Sequence, residues 1–67
     1  MSPLTNVTRD QVRITETYLA NGHVAVRVVE CLTGHVLWER TVTLPEVLSV
    51  LNLAWDYAKH QHYEVVV

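Results

Sequence analysis

His60, His62 and Glu64 are spaced by two, so on an extended strand their side chains would share one face. Imidazole and carboxylate are common ligands of zinc and related metals, which makes this spacing the first place to look for a metal site. The pattern is compromised at once, because His60 falls at the end of an expected helix and the geometry breaks there. His23 and His35 stand just after expected turns, where polar residues belong in any case. Cys31, the only cysteine, faces His35 across an expected strand pair with Glu30 beside it. A thiol nucleophile needs a base within hydrogen-bond reach and a site that excludes water, and the edge of a small sheet offers neither. Glu16 and Glu39 flank Arg27 and read as a salt-linked ladder, not as an acid and base couple. The two glycines sit in turns, so no glycine-rich loop exists for phosphate. No catalytic residue, metal or cofactor is expected.

The elements that position these residues follow from pattern. Residues 1–9 have no period and are expected to form a loose arm. Residues 10–20 alternate and are rich in threonine and β-branched side chains, which suits a strand. Asn21-Gly22 is a strong hairpin signal, since a type I′ turn needs positive φ at both central residues. Residues 23–31 carry four valines and read as the central strand. Residues 35–43 complete a meander. Gly34 is expected at the left-handed position of a three-residue loop, pairing Cys31 with His35, Val28 with Trp38, Val24 with Val42 and Arg27 with Glu39. The first hairpin, taken without a bulge, sets Glu16 opposite Arg27.

Residues 44–60 read as one amphipathic helix. Thr43 caps it, Pro45 suits its first turn, and Glu46 completes a capping box. Val47, Leu48, Leu51, Ala54, Trp55 and Ala58 are expected to face the sheet, leaving Val50, Leu53 and Tyr57 as a second, outer stripe. A short strand, residues 63–67, follows beside the first strand, beside the third, or paired with another chain. The fold class is therefore α+β: a three-stranded antiparallel meander, one helix on one face, and a short fourth strand. On this register the core face carries Leu19, Val24, Val26, Val28, Val36, Trp38 and Val42. The open face carries the charge ladder and an apolar patch of Val12, Ile14, Val29, Cys31 and Leu37, with Tyr18 nearby.

Composition narrows the function. Sixty-seven residues make one domain, and a chain of this size buries only about 60% of its unfolded surface. Hydrophobic residues make up 49% and charged ones 18%, so apolar surface should be left over for self-association or a partner. Net charge is −2, with five scattered basic residues and no basic stripe of the kind nucleic-acid binders show. Asn6-Val7-Thr8 matches a glycosylation acceptor by chance, since no signal peptide precedes it. No apolar run approaches the ~20 residues that span a bilayer. The expectation is a cytoplasmic, non-catalytic protein-protein interaction module that forms a homodimer and inhibits or regulates a larger machine. By size and charge it is analogous to phage and mobile-element inhibitors, including anti-CRISPR proteins. Its expected partner-binding residues are Val12, Ile14, Tyr18, Val29, Leu37, Val50, Leu53 and Tyr57, with Glu30, Glu46 and Asp56 at the rim. The alternatives are a nucleic-acid-binding βββα domain using Arg13, Arg27 and Arg40, and a small metal- or thiol-dependent enzyme.

Overall fold

The computed structural model describes residues 10–66, and its element order follows the sequence pattern closely. The strands are β1 (Gln11–Tyr18), β2 (His23–Glu30), β3 (Val36–Thr43) and the short β4 (Glu64–Val65), with helix α1 (Val47–His60) between the last two. The sheet order is β3-β2-β1-β4, with β1, β2 and β3 antiparallel and β4 parallel to β1. The choice left open for the final strand is thus resolved beside β1. There the Glu64 and Val66 amides donate to the Asp10 and Val12 carbonyls, at 2.7 and 2.8 Å. The expected arm, residues 1–9, lies outside the described residues, as does Val67.

The first hairpin departs from expectation by one residue. Asn21 and Gly22 do take positive φ, 62° and 75°, and the His23 amide donates to the Ala20 carbonyl across them. However, the Leu19 amide, not that of Ala20, donates to the His23 carbonyl. One extra residue therefore sits on the first strand, and Thr15 instead of Glu16 stands opposite Arg27. A slip of one residue exchanges the two faces of a strand. Val12 and Ile14 move from the open face to the helix side, where Val12 is fully buried and Ile14 packs against the core. Arg13, Thr15 and Thr17 move outward. The unshifted register would have turned Arg13 toward the helix and left Val12 and Ile14 on the open face, so the bulge exchanges a charged inner position for two apolar ones.

In the second hairpin the loop is Cys31–Gly34. The Glu30 amide donates to the His35 carbonyl, and the Gly34 amide (φ 81° at Gly34) donates to the Glu30 carbonyl, both at 2.8 Å. Cys31 therefore does not pair with His35. The irregularity falls instead at Leu37, which the ladder skips between Val28–Trp38 and Val29–Val36. Below it the expected pairs Val28–Trp38, Arg27–Glu39 and Val24–Val42 all form. Leu37 packs against the core and does not lie on an open face.

The helix begins as the sequence indicates. The Thr43 hydroxyl and amide both donate to the Glu46 carboxylate, at 2.8 and 3.2 Å, and a 3₁₀ turn over Leu44–Glu46 leads into α1. Its buried face is Val47, Val50, Ala54 and Ala58, with Leu51 and Tyr57 packed alongside. Relative to expectation the helix is rolled by about 50°, half of the 100° step between residues. Val50 and Tyr57 turn inward, while Leu48 and Trp55 turn out. The roll sets the small side chains of Ala54 and Ala58 on the sheet and gives Tyr57 three partners, one of them the tilted ring of Tyr63 at 6.2 Å. Its ring stacks on Trp38 with centroids 6.2 Å apart, and its hydroxyl lies 3.5 Å from the Leu37 carbonyl. Leu19 and Val36, expected inside, are exposed. No described helix is long and apolar enough to cross a membrane.

Candidate interaction surface

The chemistry considered first is not assembled. His60 ends α1 with Nδ1 2.9 Å from the Asp56 carbonyl oxygen, and His62 occupies the following turn at φ 61°. Among the described residues no three His, Cys, Asp or Glu side chains gather as a metal-sized cluster. Cys31 is half-buried, and its amide donates to the Gln11 carbonyl. Arg27 Nε donates to Glu39 at 2.5 Å and Nη1 lies 3.4 Å from the Thr17 hydroxyl. Thr17 stands opposite Ala25, so the arginine lies across that alanine and leaves it buried on the otherwise open face. Glu16 is on the other side of the sheet and accepts a 2.9 Å hydrogen bond from the Tyr18 hydroxyl instead. That bond to a carboxylate raises the Tyr18 pKa above the usual phenol value of 10.0. Arg40 stacks over the Trp38 ring at 5.7 Å. Because Arg40 pairs with the core-facing Val26, it shares no face with Arg13 and Arg27.

The expected open-face patch is dispersed by the same shifts. Val12, Ile14 and Leu37 belong to the core or its margin, which leaves half-buried Cys31 at the hairpin and half-buried Val29 between Arg13 and exposed Val36. Of the expected helix stripe, Val50 is buried and Tyr57 packs inward, while Leu53 stays exposed. Tyr18 is exposed as expected, but on the helix side.

What the fold does expose is a different row. Leu44, Leu48, Leu51 and Trp55 follow at steps of four, three and four, the 3.5-residue period of a helix seam. Leu48 is 76% exposed, Leu44 54% and Trp55 48%, and Leu51 forms the inner margin of the row. The row lies on the β4 side of α1, because Trp55, Asp56 and Lys59 line a shallow cleft of about 310 Å³ with Tyr63 and Val65. Tyr57, turned toward Trp38 and Leu37 of β3, marks the opposite edge. Beneath the row, the helix-side residues of β1 grade from buried Val12 through half-buried Ile14 to exposed Glu16 and Tyr18. The ladder with β4 reaches only Gln11 and Val12. One corner of the sheet is therefore left uncovered beside an apolar helix edge.

Neither Leu44, Leu48 nor Trp55 was among the expected contact residues, although their spacing stands in the sequence. Comparison with protein-family models, curated proteins and solved structures gives no match to this chain.

Proposed function

We propose that this chain is a non-catalytic protein-protein interaction module that docks through the edge formed by Leu44 of the 3₁₀ turn and Leu48, Leu51 and Trp55 of α1. Its role in this reading is regulatory: it acts by occupying a partner's surface. One observation carries the reading, the 76% exposure of Leu48 within a row of large apolar side chains. Isolated exposed leucines are ordinary, but a contiguous row at helix spacing is what a groove or a second helix accepts. Trp55 supplies the kind of large, half-rigid side chain on which binding energy concentrates. Asn52, Asp56 and Lys59 give the row a polar rim. The nucleic-acid alternative has no comparable support, since Arg27 is bound to Glu39 and Arg40 lies on a different face from Arg13.

The test is affinity capture with immobilised wild-type chain, Leu48→Glu and Trp55→Ala, after circular dichroism shows all three folded alike. Capture should fall at least about tenfold for either variant, the loss typical of a central interface residue. Capture by Leu48→Glu at the wild-type level would overturn the assignment of this edge.

A further inference from the structure

We propose that Asn21 is a site of spontaneous deamidation gated by the fold, withheld while the first hairpin is closed and admitted when that hairpin opens. The inference is independent of the docking edge. Of the three asparagines, Asn21 alone precedes a glycine. Asn6 and Asn52 precede Val7 and Leu53, whose bulk hinders attack by the following nitrogen. Asn21 and Gly22 are both exposed, so solvent reaches the peptide group between them. An added carbon at Gly22 would meet no atom of the described residues within 4 Å, so a ring built there has room.

The chemistry needs only the chain and water. The Gly22 nitrogen attacks Asn21 Cγ, and the new N–Cγ bond closes a five-membered succinimide. The side-chain nitrogen leaves as ammonia, taking the proton that the Gly22 amide gives up. One water then opens the ring. Attack at Cγ gives aspartate, whereas attack at the backbone carbonyl gives isoaspartate, whose main chain runs through Cβ and Cγ.

Conformation sets the gate. The ring is nearly flat, so closing it needs the Gly22 nitrogen on the same side of the Asn21 Cα–C bond as Cβ. In the turn ψ of Asn21 is 28°, which sets the Gly22 nitrogen nearly in line with Asn21's own nitrogen and away from Cβ. Two hydrogen bonds hold it there, from the His23 amide to the Ala20 carbonyl and from the Leu19 amide to the His23 carbonyl. Rotating ψ into the reactive geometry pulls these apart, so the reaction proceeds only in the open fraction of hairpins. Its consequence falls on the register of β1. Aspartate tolerates the left-handed region and keeps the turn. Isoaspartate adds a backbone atom beside the place where the extra residue of β1 is absorbed. Either product adds one negative charge to a chain of net charge −2.

The wild-type chain is incubated in neutral buffer and in concentrated urea, and amide-to-acid conversion is located by mass spectrometry of its peptides. In urea Asn21 should convert well ahead of Asn6 and Asn52. In buffer its conversion should be at least about tenfold slower than in urea. Val24→Ala removes buried packing from the same hairpin without touching Asn21 or Gly22. It should speed conversion in buffer severalfold and leave the rate in urea unchanged. Equal wild-type rates in buffer and urea would overturn the gate, as would a Val24→Ala chain no faster than wild type in buffer. Conversion in urea no faster at Asn21 than at Asn52 would overturn the site itself.

Discussion

Val12 and Leu48 are both aliphatic residues in regular structure, and their fates are opposite. Val12 is fully buried between sheet and helix, whereas Leu48 is largely in solvent. Removing two methyl groups from a close-packed site forfeits their transfer energy and leaves a cavity, so Val12→Ala should cost about 2 kcal/mol. Leu48→Ala should change the stability of the single chain by no more than about 0.5 kcal/mol. Urea unfolding at low micromolar concentration distinguishes the two. A cheap Val12→Ala would mean that β1 runs in the unshifted register. That register is where reading from sequence failed at residue scale. Val12-Arg13-Ile14-Thr15 alternates cleanly, so it says that Val12 and Ile14 share a face but not which face. The deciding residue is Ala20, an unremarkable alanine beside a well-signalled turn, where the bulge is absorbed. Nothing in its side chain announces that role.

At the scale of elements, the start of α1 was fully legible because capping is local chemistry. The Thr43 hydroxyl and then its amide, both donating to Glu46, hold that carboxyl below its ordinary value of 4.5. A folded pKa below the unfolded one contributes stability above pH 4.5, and the contribution is lost as pH falls through the folded value. Glu46→Gln should therefore destabilise the chain at pH 7, and its deficit relative to wild type should shrink below about pH 4.5, as urea midpoints across that range would show. A deficit unchanged down to pH 2 would mean that the carboxylate charge plays no part in the cap. The roll of the same helix was not legible. Val50, Leu53 and Tyr57 offer an apolar stripe as continuous as the one containing Leu48 and Trp55, and helix periodicity cannot rank two such stripes. The choice is made across the interface, by Trp38 and the Leu37 carbonyl receiving Tyr57. The strand pairs Val28–Trp38 and Arg27–Glu39 were legible because a like-charge clash between Arg27 and Arg40 excluded the alternative.

For the molecule as a whole, composition told that apolar surface would be left over, and the fold decides where. Among the described residues the fully buried side chains are no larger than valine, so the core they form is shallow. Chains of this length seldom gain more than a few kcal/mol from one core. A helix edge that buried itself against another copy would contribute to stability through mass action. Association of folded but not unfolded chains stabilises the fold progressively as concentration rises past the dissociation constant. For such a pair, each tenfold rise in chain concentration above that constant should add about 1.4 kcal/mol per mole of dimer. The urea midpoint of the wild-type chain should accordingly climb between about 10 and 500 µM. That of Leu48→Glu should stay flat, meeting the wild-type value at the dilute end, because Leu48 contributes little within one chain. A flat wild-type midpoint would show that the folded chain gains nothing from its own kind. A rise that persists in Leu48→Glu would place self-association on another surface.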